Sequence, residues 1–242
     1  QETKPMRPTN GYPYRYELHC HTCRCSKCAH STPVEMARAY YEKGYAGMVI
    51  TDHFLRGNTA VDPSLSWEEK MNCYHNAYLE AAEYADGKDF HVLFGLEHQY
   101  GGGKEVLTYG IDLEFLLSHP CLDQLPLREY AQLVWDAGGF LSMAHPYRGA
   151  AYIDSTIGPQ PDCLDGAELF NFFNTGEENK KAALLVEQHH LLPTSGGDVH
   201  DAESDAVGMA GVALPRPVTG GKELAELLRS GDYRLIINGE LV

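Results

Sequence analysis

Short apolar runs alternate with longer helical patterns along most of this 242-residue chain, and that alternation restricts the fold more than any other feature. The runs lie at residues 14–18, 47–51, 91–96, 106–111, 139–144, 166–170, 192–195 and 209–214. Helical patterns cover residues 33–43, 67–85, 127–137, 177–190 and 222–230, and the first opens on Pro33 and stops before Gly44. Strand then helix, repeated, predicts a largely parallel α/β sheet covered by helices, either open or closed into a barrel. No internal repeat, low-complexity tract or linker divides the chain, and 43% hydrophobic residues can fill one core. One unit over residues 1–242 is therefore expected, ending in a strand–helix–strand segment at 207–242.

The formal net charge of −15 argues against a general nucleic-acid surface or an anionic membrane face. No apolar run approaches the roughly 18 residues a spanning helix needs, and residues 1–10 are polar, without the apolar centre of a signal peptide. Four of the seven cysteines (Cys20, Cys23, Cys25, Cys28) crowd into nine residues. Bridges between such close neighbours are geometrically awkward, so a reduced, cytoplasmic chain is the simpler reading. A zinc knuckle on these four would lack the distant second ligand pair of ordinary zinc modules. Cys73, Cys121 and Cys163 read as ordinary small residues.

Chemistry-bearing side chains fall at the C-terminal ends of the strand-like runs. His19 and His21 follow the first run two residues apart, a spacing that on a strand turns both rings to one face. Thr51-Asp52-His53 ends the second run, and Glu97 ends the third. His145-Pro146 closes another, and Gly197-Asp198-Val199-His200 supplies a second i, i+2 pair. In parallel α/β folds this edge is where ligands bind. A single strand-end histidine or acid usually caps or hydrogen-bonds; five on one edge point to a shared site.

Taken in order, His19-x-His21, Thr51-Asp52-His53, Gly95-Leu96-Glu97, Ala144-His145-Pro146 and Gly197-Asp198-Val199-His200 resemble the polymerase and histidinol phosphatase (PHP) superfamily, from residue 16 to about 212. The resemblance implies a distorted seven-stranded (βα) TIM-like barrel, a site for two or three divalent ions (Zn, Mn or Fe), and phosphoesterase activity. It implies one ion on His19, His21, Glu97 and Asp198, with Glu97 bridging to a second ion shared with His145. A third ion falls to His53, His200 and a residue of the loop after the H-x-H pair, where Cys28 stands, with His30 as the near alternative. A Cys28 thiolate favours zinc over manganese or magnesium. Glu105 falls nearest the position where many relatives carry a further histidine, and a carboxylate can replace imidazole there. Asp52, beside His53, reads as a residue that orients ligands from behind.

Paired ions lower the pKa of a bridging water from 15.7 toward about 7 and polarise a phosphoryl oxygen. The expected reaction is attack of a metal-bridged hydroxide on a phosphomonoester, either a small phosphorylated metabolite or a nucleotide, with Asp198 and Glu97 as the catalytic carboxylates. Arg148, on the loop leaving a site strand, could take two phosphate oxygens; pairing with a nearby acid is its alternative. Arg24 and Arg56 are weaker choices, and Gly101-Gly102-Gly103 reads as a mobile loop tip flanking the pocket. The run Phe170-Asn171-Phe172-Phe173-Asn174 reads as barrel-wall packing before base stacking. Neither duplex nucleic acid nor a membrane is an expected partner, and the sequence sets no oligomeric state. Two alternatives stand: an amidohydrolase-type hydrolase, whose usual metal-bridging lysine has no obvious counterpart here, and a non-catalytic metal-binding PHP module.

Overall fold

Three of the helices begin with the same local device. Thr32, Ser66 and Thr175 each accept a hydrogen bond from the backbone N–H three residues on, and Glu35, Glu69 and Glu178 each reach back to the cap's own N–H. These capping boxes satisfy end groups that the helix itself leaves unpaired, so they set the starts of α1 (Pro33–Glu42), α2 (Trp67–Ala85) and α5 (Gly176–His189). The computed structural model describes residues 11–242; residues 1–10, on which the expectation of no signal peptide falls, lie outside the described residues. The remaining helices are α3 (Leu113–Ser118), α4 (Leu127–Asp136) and α6 (Gly221–Ser230). Among the described residues no helix is long and apolar enough to cross a membrane.

The strands are β1 (Tyr14–Cys20), β2 (Gly47–Ile50), β3 (His91–Gly101), β4 (Lys104–Tyr109), β5 (Phe140–Met143), β6 (Gly166–Asn171), β7 (Leu192–Gly196), β8 (Ala210–Leu214), β9 (Arg234–Ile237) and β10 (Glu240–Leu241). They form one ten-stranded sheet in the order β10-β9-β8-β1-β2-β3-β4-β5-β6-β7. The mixed α/β class matches the sequence pattern, but the seven-strand count does not describe this sheet. Pairing is parallel only in β1–β2, β2–β3, β5–β6 and β6–β7. β4 is antiparallel to both neighbours, and β8 runs antiparallel to β1. The reason for the reversal is local: β3 and β4 are joined by Gly101, Gly102 and Gly103, all at positive φ, with no helix between them.

That glycine tip is packed rather than free. Gly102 accepts a hydrogen bond from the Asp154 amide (2.8 Å), and a side chain at Gly103 would meet the backbone of Tyr152 and Ile153. The expected mobile tip is therefore an anchor for the loop carrying Tyr152.

The sheet curls so that its site ends approach one another. Beyond β7, Val199 bridges Cys20 in parallel register, and the His21 amide donates to the Val199 carbonyl (2.8 Å). Glu17 locks this junction from inside: its Oε1 accepts from the amides of Leu18, His19 and Gly197, and its Oε2 accepts from the Tyr40 hydroxyl. At the next seam, His53 bridges Glu97, extending β2 toward β3. Apolar side chains pack between the helices and the sheet, including Leu96, Val106 and Tyr130 on one side and Tyr16, Leu18 and Tyr109 in the interior.

Candidate metal centre

Four buried or half-buried triads share ligand atoms mutually within 4.8 Å: His19–His21–Asp198, His19–Glu97–His145, His53–Glu97–Glu105 and His21–His53–His200. They overlap, so six strands or their adjoining loops deliver one continuous cluster. Glu97 sits at its middle, fully buried. Its Oε1 lies 3.1 Å from His19 Nε2 and 3.1 Å from His145 Nε2; its Oε2 lies 3.0 Å from His53 Nδ1 and 3.3 Å from His21 Nε2. Each carboxylate oxygen thus faces a different pair of imidazoles, as a bridge between two cations would.

The chemistry of this donor set fits divalent cations. His53 Nδ1 and Glu97 Oε2 are 3.0 Å apart, yet neither has a hydrogen-bond partner. Buried polar atoms seldom go unpaired, and a short separation without hydrogen-bond geometry means that both are aimed at a common point. Glu105 lies between two of the rings, 3.2 Å from His53 Nδ1 and 3.3 Å from His145 Nε2. Asp198 places Oδ1 at 3.3 Å from His19 Nε2 and 3.4 Å from His21 Nε2, and its Oδ2 accepts from Arg148 (2.7 Å).

The electrostatics describe a cluster of acids that needs positive charge. Burial opposes ionisation of Glu97 and Asp198, but the adjacent His19, joined by His53 at Glu97, outweighs it and holds both carboxyls well below their usual range. The same attraction works in reverse on the rings. Burial disfavours a charged His19, yet Glu168, Asp198 and Glu97 push its pKa well above the ordinary value. Divalent ions supply the positive charge that protons otherwise provide, and binding them releases those protons.

Two of the six positive-φ non-glycine residues among those described lie in the cluster. His145 (φ 32°) and Asp198 (φ 51°) both occupy the left-handed region without being glycine, a conformation that persists only where surrounding contacts impose it.

The loop after the H-x-H pair is split in its behaviour. Cys28 is half-buried and lines the same cavity as His53 and His200. Burial raises its thiol, but hydrogen bonds and charge from His200 and His53 prevail and bring it down to about 6. His30 is exposed and belongs to none of the triads; its amide donates to the His200 carbonyl. All seven cysteines are free, and none belongs to a triad.

Asp52 lies behind the cluster. It accepts from the Thr22 amide (2.6 Å), the Thr22 hydroxyl (2.8 Å) and the Ser26 hydroxyl (2.8 Å), and Ser26 Oγ lies 3.1 Å from His21 Nδ1. Two fully buried carboxylates beside the cluster fall outside the sequence-derived set: Glu17, at the seam described above, and Glu168, whose Oε1 lies 2.7 Å from His19 Nδ1. Glu168 stands inside the apolar run 166–170, and an acid inside such a run was the one available signal.

A cavity of about 490 Å³ opens onto the cluster, lined by Asn58, Gln99, Arg148 and Tyr152 besides Cys28 and residues of the triads. Arg148 is the one guanidinium among its described lining residues, and it also donates to Asn171 (2.7 Å) and Asn174 (3.0 Å). Arg24 instead pairs with Glu80 at the surface. In the aromatic run, Phe170 is buried and Phe173 is half-exposed.

No family model matches the chain, and no curated protein matches it in sequence. Solved structures do. A two-domain protein from Bacteroides vulgatus containing a predicted PHP-like metal-dependent phosphoesterase superposes with a TM-score of 0.71 at 15% identity, covering 100% of this chain and 70% of the other. An amidohydrolase from Chromobacterium violaceum, solved with sulfate and no metal, gives 0.55 at 16% identity over 88% and 96%. Endonuclease Q, in complex with a 27-mer duplex carrying an abasic lesion, gives 0.64 at 14% identity over 90% and 56%. Likeness at these identities is one of architecture: the chain has the fold of PHP-like proteins.

Proposed function

We propose that this protein is a metal-dependent phosphoesterase that hydrolyses a phosphomonoester, and that the strand-end cluster holds two or three divalent ions. The observation that carries the reading is Glu97, whose two oxygens face different imidazole pairs while its Oε2 and His53 Nδ1 remain unpaired at 3.0 Å. We read strands β1 to β7 as a barrel whose site end they line, with β8 to β10 as an extension beyond β1.

His19, His21, Asp198 and Glu97 would hold one ion, and His145, Glu97 and Glu105 a second. His53 and His200, with Cys28 beside them, would hold a third; the thiolate makes zinc the favoured ion there. Bound ions supply Lewis acidity and make hydroxide available near neutral pH. Asp52 orients His21 through Ser26, and Arg148 holds Asp198 in place. At the cavity wall Arg148 is also the cation placed to meet a phosphate oxygen.

The cavity of about 490 Å³ suits a small phosphorylated metabolite or a nucleotide. A phosphodiester within nucleic acid is the reading that the likeness to Endonuclease Q raises. The net charge of −15 weighs against a duplex as the partner. An amidohydrolase-type reaction shares the fold and stays as the second reading. The free cysteines agree with a reducing, cytoplasmic setting.

The test is hydrolysis of p-nitrophenyl phosphate and a nucleotide panel by the purified chain, before and after metal stripping, with His19→Ala and Asp198→Ala as controls. Activity that disappears on stripping, returns with zinc, manganese or iron, and is absent from both variants is the expected outcome. Failure to hydrolyse any phosphoester with all three metals restored would sink the proposal.

A further inference from the structure

Glu168 makes more contacts with the site than a residue with no place in the ligand set needs. It projects from β6, fully buried, and three groups converge on it. Its Oε1 lies 2.7 Å from His19 Nδ1; its Oε2 accepts from the His145 amide at 2.7 Å and from Asn171 Nδ2 at 2.9 Å. Asn171 passes the connection on, since its Oδ1 accepts from Arg148 (2.7 Å), and Arg148 donates to Asp198 Oδ2 (2.7 Å). His19 and Asp198 face each other across the site at 3.3 Å; behind them Glu168, Asn171 and Arg148 close the ring.

The backbone leaves room for this carboxylate and little else. A Cβ added at Gly196 on β7 would overlap Glu168 Oε1, so glycine there is a condition for the carboxylate to stand where it does. The His145 amide that Glu168 accepts belongs to a residue at φ 32°, one of the two strained ligand positions.

We propose that Glu168 is a positioning residue: it holds the His19 proton on Nδ1, so that Nε2 is free for a cation, and pins the His145 backbone so that both rings address Glu97. The inference rests on the metal reading given above. It follows from which atoms donate. The His145 amide and the Asn171 NH2 can only donate, so Oε2 must accept; a ring proton on Nδ1 then completes an acceptor role at Oε1 and clears Nε2. Replacing Glu168 by glutamine keeps the shape but not the roles. The amide oxygen goes to the two fixed donors, the amide NH2 faces His19 Nδ1, and the ring proton is forced onto Nε2, where the ion should bind.

Two measurements test this, neither of them activity. The first is the affinity of the metal-stripped chain for zinc, by competition with a chromophoric chelator, in wild type and in Glu168→Gln. The second is the ring tautomer of His19 in the zinc-loaded wild type, by long-range nitrogen–proton correlation NMR, which holds even if the variant does not fold. Expected are an affinity loss of about 10–100-fold in E168Q and a wild-type His19 protonated at Nδ1. Equal zinc affinity in the two proteins, or a wild-type ring protonated at Nε2, overturns the assignment. A wild type that binds no zinc, manganese or iron overturns the metal reading itself, and this inference with it.

Discussion

The two faces of β3 carry neighbouring residues with opposite fates. Glu97 points into the cluster, within 3.3 Å of four imidazoles. His98, the next residue, points into the apolar layer behind the sheet, stacked on Tyr130 at 4.2 Å between ring centroids. Neither of its ring nitrogens has a partner, and burial pushes its pKa down to about 3. Tyr100, one pleat further on, likewise has an unpaired hydroxyl. Unpaired buried polar atoms thus occur on both faces, with different meanings. At Glu97 and His53 they aim at a common point among acids and rings; at His98 they aim into hydrocarbon, where an unmet hydrogen bond costs stability and serves nothing visible. Burial and orphan status alone do not mark a functional residue; convergence does.

Substituting the two neighbours should separate these meanings most sharply. Glu97→Gln removes the bridge between imidazole pairs, and phosphoester hydrolysis should fall by at least about 10³-fold, whereas His98→Leu should leave it within about twofold. Comparable losses in both would erase the distinction.

Next in size is a pH effect confined to the metal-stripped protein. Burial and Arg148 oppose a proton on His145, but Glu105 and Glu97 prevail and hold its pKa at about 9, above the ordinary 6.5. A raised histidine stabilises the fold fully below pH 6.5, and that contribution fades as pH rises through about 9. At 1.36 kcal/mol per unit the loss is about 3 kcal/mol. Denaturant melts across that window should show it with chelator present and not with zinc bound. A stripped protein equally stable at both ends contradicts the assignment.

Arg148 offers a middle-sized effect. Arg148→Ala releases Asp198 Oδ2 and should lower kcat/KM for p-nitrophenyl phosphate by about 10–100-fold, with zinc affinity weakened as well. If only KM rises and metal affinity is unmoved, Arg148 meets substrate without positioning Asp198.

The smallest effect belongs to the other face. His98→Leu replaces an unsatisfied ring by hydrocarbon and should raise stability by about 1 kcal/mol, a Tm gain of about 3 °C for a chain of this size. A lower Tm would mean that stacking on Tyr130 outweighs the missing hydrogen bonds.

What was legible in the sequence follows the same geometry. His19, His21, His53, Glu97, His145, Asp198 and His200 could be picked out because each ends or follows an apolar run, and a parallel sheet gathers such ends on one edge. Glu105 was reached only through the family pattern, since by itself it is an acid at the start of a strand. Glu168 was legible only as an acid inside an apolar run; its partner His19 is 149 residues away, and nothing local joins them. The reversal of β4 was within reach, because residues 91–96 and 106–111 are separated by three glycines and no helix pattern, the signature of a hairpin. The two short strands after α6 include the turn at Asn238-Gly239, both at positive φ, which closes β9 onto β10.

The central claim is that the strand-end acids and imidazoles form one multinuclear centre, and an equilibrium titration of the stripped chain with zinc or manganese tests it most directly. The account predicts two or three ions bound per chain, with at least one lost in Asp198→Ala and in His19→Ala. One ion or none in the wild type, or full occupancy in both variants, contradicts it.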